Sequence, residues 1–156
     1  MITKLKLLTL IPIICYFSSF VLEGPAPVQE SDDTRQVREA ILDYVEGVYT
    51  ADTARIHRSV NPSLVKRGSV RNRESGTYSA FNEMSFQQLL ELTRNWNKDG
   101  KRADANSIRE IEIYDVQDKT AAAKLTAVWG TDYFHLAKID GKWMIMNVLW
   151  QTPQPK

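Results

Sequence analysis

Cysteine is almost absent. Cys15 stands alone, so no internal disulfide and no cysteine-based zinc site can form. Histidine is nearly as scarce: His57 and His135 are too few for a histidine metal centre. The 7 glycines are scattered, which excludes a Gly-rich phosphate loop. Neither sign of charge dominates. With 20 Lys+Arg against 19 Asp+Glu the formal charge is +1, so the basic field that nucleic-acid binding relies on is missing. What remains is ordinary globular material. The chain has 156 residues, 43% apolar and 25% charged, enough for one domain with a real core. No metal, no cofactor and no nucleic-acid partner are expected.

The N-terminus reads as an address. Lys4 and Lys6 precede an uncharged apolar stretch from Leu7 to Leu22, the layout of a secretory signal. The stretch falls short of the ~20 residues that span a bilayer comfortably, and Pro12 interrupts it. Residues 1–22 are therefore expected to be a signal peptide or an N-terminal anchor. The domain would then be exported, periplasmic or extracellular, touching a membrane only through an uncleaved segment. Pro27 after Gly24-Pro25-Ala26 opposes cleavage there, and Ile14 before Cys15 is too large for a lipoprotein signal. Residues 23–31 read as a Pro-rich linker, and residues 32–153 as the folded domain.

Ser31-Asp32-Asp33 supplies capping oxygens and negative charge for a helix. Val37, Ile41, Tyr44, Val45 and Val48 then recur at helical spacing to about Tyr49. Asp52 caps a short second helix, Thr53 to Ser59, which Asn61-Pro62 ends. Leu64-Val65 reads as a short strand. Ser85 with Gln88 opens a third helix to about Asn97. Four strands follow: Ile108–Val116, Ala121–Trp129, Asp132–Ile139 and Lys142–Trp150. Asp140-Gly141 is the strongest hairpin signal. Helices first and a meander afterwards predict an α+β domain, with helices on one face of an antiparallel sheet.

On strict alternation, Trp143, Ile145, Asn147 and Leu149 share one face of the last strand. Met144, Met146, Val148 and Trp150 share the other. Both faces are mostly apolar, so a homodimer through the outer sheet face is expected, with Met144, Met146 and Trp150 or their opposite-parity neighbours in contact.

The segment from Asp132 to Trp150 (Asp-Tyr-Phe-His-Leu-Ala-Lys-Ile-Asp-Gly-Lys-Trp-Met-Ile-Met-Asn-Val-Leu-Trp) resembles the terminal hairpin of the putative lumazine-binding family. That family sits in the nuclear-transport-factor-2-like superfamily, beside SnoaL-like and ketosteroid-isomerase-like proteins. His57 to Gly68 is similar to the same family's segment after the second helix. The resemblance covers about Asp32 to Pro153. It implies a cone: a strongly bent antiparallel sheet wrapped around three N-terminal helices, with a pocket at the open end. It does not imply one chemistry, because fold does not give function.

In the ketosteroid-isomerase-like relatives the base lies on the strand after the second helix. Here Leu64-Val65-Lys66-Arg67 holds no carboxylate. Lys66 and Arg67 read as solvated cations at a strand end, and Lys66 would act as a base only if burial lowered its pKa by several units. Tyr44 faces inward from the first helix and offers a hydroxyl. Tyr133 and His135 share a strand face and could bond a polar ligand. His57 sits near the mouth. These four are the candidate pocket residues, and no catalytic residue is assigned. Lys66, Arg67, Arg71 and Arg73 form a basic run, read as a solvated loop with anion binding at the rim as the alternative. Trp129, Trp143 and Trp150 are read as core or interface, with aromatic pocket walls as the alternative.

The expected function is a small-molecule-binding or accessory module without catalysis. A cofactor-free isomerase-type enzyme and a structural dimerisation module are the alternatives.

Overall fold

The computed structural model describes residues 30–153. The expected leader, and the linker up to residue 29, lie outside the described residues. The elements run α1 (Asp32–Thr50), α2 (Thr53–Ser59), β1 (Val60–Ser69), β2 (Asn82–Met84), α3 (Phe86–Trp96), β3 (Arg109–Val116), β4 (Thr120–Ala127), β5 (Gly130–Ile139) and β6 (Lys142–Gln151). No helix among the described residues is long and apolar enough to cross a membrane.

Local chemistry accounts for the helix boundaries. The Ser31 hydroxyl accepts from the Thr34 N–H, and Asp32 and Asp33 occupy the first turn of α1, where the helix dipole favours negative charge. The helix stops at Ala51, which takes a left-handed φ of 57°, and the Asp52 N–H closes back on the Gly47 carbonyl at 2.9 Å. Asp52 then caps α2 through the Ala54 N–H. Ser85 and Gln88 form a reciprocal capping box at the start of α3.

Strand order across the sheet is β2-β1-β6-β5-β4-β3. Strands β3 to β6 are a meander of hairpins. The β5–β6 turn has φ 49° at Asp140 and 81° at Gly141, the paired positive values that the tightest hairpin turns require. The sheet is not wholly antiparallel, which corrects the expectation: β1 runs parallel to β6. A two-residue turn forces its strands antiparallel. No such turn links β1 to β6, so a long intervening chain leaves their relative direction free.

Helix α1 packs against β6, β4 and β3 on one face. Strands three places apart in a flat sheet are separated by roughly 14 Å, more than the ~10–12 Å width of a helix. The sheet therefore curls around α1. Register shifts at Val60/Val65, Ile113/Asp115 and His135/Leu136 add local bend.

One of these shifts decides which side chains face inward. His135 pairs with Asn147 and Leu136 with Ile145, so Met146 is the extra residue. Strict alternation fails there. Trp143, Ile145 and Val148 are all buried, whereas Leu149 is exposed. Trp150 faces the helices, not the outer surface, and so leaves the expected dimer contact. Strand β1 also exceeds the expected Leu64-Val65: it has 10 residues. Pro62 is tolerated because it falls within the register shift, where no ladder bond is needed.

Candidate ligand-binding cavity

Between α1, β1, α3 and β6 lies a cavity of about 70 Å³. Val48, Leu92, Met84 and three indoles, Trp96, Trp129 and Trp150, give it an apolar wall. Two polar side chains reach it, Tyr44 from α1 and Lys66 from β1. Lys66 faces inward because it lies beside Val148 in the parallel pairing, and Val148 is a core residue. Its side chain is only 5% exposed. The reading of Lys66 as a solvated strand-end cation is thereby corrected. Arg67, its neighbour, points outward and pairs with Glu83.

Lys66 Nζ donates to the Tyr44 hydroxyl at 2.8 Å and lies 3.8 Å from Asp132 Oδ1. Asp132 has no solvent exposure. Its Oδ2 accepts from Trp129 Nε1 at 3.1 Å, while Oδ1 makes no hydrogen bond among the described residues. The Tyr44 ring stands edge-on to Phe134 and Trp129, with centroids at 5.2 and 6.3 Å. The Lys66 ammonium also sits 5.3 Å from the Trp150 ring centroid, within cation–π range. Gly68 makes room for that ring: a Cβ there would fall 1.8 Å from Trp150 Nε1.

Burial governs the ionisation of all three groups. It lowers the Lys66 pKa, against the pull of the Asp132 carboxylate. It raises Asp132 above the usual carboxylate range, against Lys66, Trp129 and Tyr44. It drives Tyr44 well above the ordinary phenol value, helped by Asp132. The cavity ends in the Lys66 amine and the Tyr44 phenol, hydrogen-bonded to each other, with the Asp132 carboxyl behind them. Such an end suits an oxygen acceptor on an otherwise apolar molecule. Among the described residues no group of three or more His, Cys, Asp or Glu is placed to hold a metal.

The family model described as "Putative lumazine-binding" matches residues 32–151. The chain belongs to this family. Solved structures agree on the fold. A nuclear-transport-factor-2-like protein of unknown function from Shewanella baltica is 18% identical, with a TM-score of 0.59 over 82% of this chain and 100% of that one. Another from Silicibacter pomeroyi is 16% identical, with a TM-score of 0.58 over 76% and 94%. A ketosteroid isomerase-like protein from Erwinia carotovora is 14% identical, with a TM-score of 0.53 over 81% and 100%. No curated protein matches the chain.

Within this lumazine-binding-family domain the four candidate residues separate. Tyr44 lines the cavity. His57 is exposed on α2 and stacks edge-on against Phe86 at 5.3 Å. Tyr133 and His135 are exposed on the outer sheet face and do not reach the cavity, a correction to the expected pocket wall. Their strand alternation places Asp132, Phe134 and Leu136 inward instead, all buried. Trp129 and Trp150 are cavity walls, the alternative to the core-or-interface reading. Of the two polar residues outside the four candidates, Lys66 is misread from the sequence as solvated and Asp132 is missed. The available signal for Asp132 was its shared parity with Phe134 and Leu136 on one strand.

Proposed function

We propose that this domain binds a small organic molecule, whose oxygen acceptor meets Lys66 and Tyr44 while an apolar part lies among the tryptophans, and releases it unchanged. The observation that carries this reading is the buried Lys66–Tyr44 hydrogen bond at the end of an otherwise apolar cavity. Absence of a carboxylate from Leu64 to Arg67 argues against proton abstraction from that strand. The family's name points the same way, towards ligand binding. Small-molecule sites usually enclose about 300–1,000 Å³, so a cavity of about 70 Å³ holds only part of such a ligand. The test is mass spectrometry of compounds that co-purify with the domain from its native host. A compound carried by the wild type and lost from Leu92→Trp, which fills the cavity from a half-buried position, supports the reading. Identical spectra for the two proteins refute it.

One observation favours a catalytic alternative. A buried lysine with a lowered pKa is the kind of amine that serves as a base. Isomerisation of an enolisable steroid ketone, abolished by Lys66→Met, would replace the binding reading with that one.

We also assign the outer sheet face to a second copy of the chain. One cross-strand row runs Glu83, Arg67, Leu149, Tyr133, Lys124, Glu112. Its ends are ion-paired, Arg67 with Glu83 and Lys124 with Glu112. Its centre is apolar and about half exposed: Leu149 is 46% and Tyr133 47% accessible. An apolar centre with a charged rim is the usual anatomy of a protein interface. Sedimentation should give a dimer that Tyr133→Asp converts to monomer; a monomeric wild type at micromolar concentration rejects the assignment.

A further inference from the structure

A second, larger cleft of about 630 Å³ shares Trp96 and Trp129 with the cavity. Three arginines line it, Arg71 and Arg73 from the segment after β1 and Arg102 from the loop after α3. No aspartate or glutamate is among its described lining residues. These arginines differ from the others. Arg35, Arg38, Arg55, Arg58, Arg67, Arg94 and Arg109 each form an ion pair. Arg71, Arg73 and Arg102 form none among the described residues. In a chain of net charge +1, the arginines without a carboxylate partner among the described residues gather in one place.

The cleft is also held in shape. The Arg71 N–H donates to the Thr152 hydroxyl at 2.7 Å, and Arg71 bridges to Tyr78. The buried side chain of Asn97 accepts from the Arg102 N–H at 2.8 Å and donates to the Tyr49 and Ala103 carbonyls at 2.6 and 2.8 Å. The Arg102 guanidinium sits 5.6 Å from the Trp96 ring centroid. Like charges lining one cleft repel one another, and an anion among them offsets that repulsion; guanidinium is the side chain best suited to carboxylate and phosphate oxygens.

We infer that this cleft binds the anionic group, carboxylate or phosphate, of an organic ligand whose planar apolar body passes Trp96 and Trp129 into the cavity. The inference rests on the binding reading above and names its ligand class: an aromatic or similarly planar organic anion. It also answers the size problem, since the outer cleft holds what the cavity cannot.

Calorimetric titration of the full chain with 2-naphthoate, 2-naphthyl phosphate and neutral 2-naphthalenemethanol tests it. At low salt at least one of the two anions should bind at least tenfold more tightly than the alcohol, and the stronger of the two identifies the anionic group. That preference should shrink several-fold at high salt. It should disappear in Arg71→Gln/Arg73→Gln/Arg102→Gln, whose thermal melting should match the wild type because these side chains are exposed or half-buried. Equal binding of all three ligands by the wild type overturns the inference, as does a tenfold preference that survives the triple substitution. Failure of the cavity reading looks different: alcohol binding unaffected by Leu92→Trp removes the cavity yet leaves the anion preference in place. Absence of binding by any of the three overturns both.

Discussion

Removing Lys66 alone should damage the domain more than removing Lys66 and Asp132 together. Lys66 Nζ and Asp132 Oδ1 are 3.8 Å apart, with side chains 5% and 0% exposed. At an effective dielectric of about 20 their attraction is about 4 kcal/mol. Burial opposes the charge on each, lowering Lys66 and raising Asp132. Lys66→Met therefore leaves a buried carboxyl group with Trp129 Nε1 as its one hydrogen-bond donor among the described residues, a type of change that costs about 3–5 kcal/mol. Asp132→Asn keeps an acceptor for Trp129 but leaves the ammonium without its counter-charge, at a similar cost. The double variant buries neither charge. Urea unfolding of the four proteins, followed by circular dichroism, completes the cycle. The two single losses should together exceed the double loss by about 2–4 kcal/mol. Additivity within about 0.5 kcal/mol, the behaviour of independent sites, would refute the coupling and with it the picture of Asp132 as the group that holds Lys66 in place.

The pH dependence of Asp132 has a definite sign: its folded-state pKa is raised, so the folded chain keeps a proton that the unfolded chain has released. Wild type should gain stability relative to Asp132→Asn as pH falls from 7 toward 4, and a constant difference between them contradicts this. Lys66 gives the opposite slope, because its folded value is lowered; wild type should gain on Lys66→Met as pH rises toward the ordinary lysine value. Gly68→Ala pushes a methyl into the Trp150 ring, so it should cost about 1–3 kcal/mol and shift tryptophan emission, and an unchanged spectrum counts against the packing described. Tyr49→Phe removes a hydroxyl that donates to the Ile108 carbonyl at 2.6 Å and accepts from the Val128 N–H at 3.0 Å; a loss of about 1–3 kcal/mol is expected in denaturant unfolding, and a neutral result would mean that water replaces both bonds.

Features set by near neighbours were legible in the sequence. Thr53 to Ser59 is α2 as read, because Asp52 and the approach to Pro62 act within a few residues. Asp140-Gly141 is a turn for the same reason. The burial of Lys66 was not legible. Its direction depends on pairing with Val148, and nothing near Lys66 specifies that partner. The face of Trp150 was misread because the extra residue at Met146 reverses the alternation, and a bulge leaves no strong local signature in Met144-Ile145-Met146. Tyr133 and His135 drew attention as polar aromatic residues. Asp132 beside them, an acid among core positions, carried the more informative anomaly.

Among the described strands, β6 alone joins β1–β2 to β5–β4–β3 within the sheet. During synthesis β1 emerges long before the strand it lies against. Until Lys142–Gln151 has been made, Lys66 has no Val148 beside it and Gly68 no Trp150 over it. The meander strands can pair locally as they appear, but β1 and β2 must wait with an edge exposed. Such long-range pairing is slow and leaves intermediates open to aggregation. A chain interrupted after Gly141 would therefore carry most of the domain's residues and no cavity, so on the proposed binding reading a growing chain would capture its ligand only once the last strand is in place.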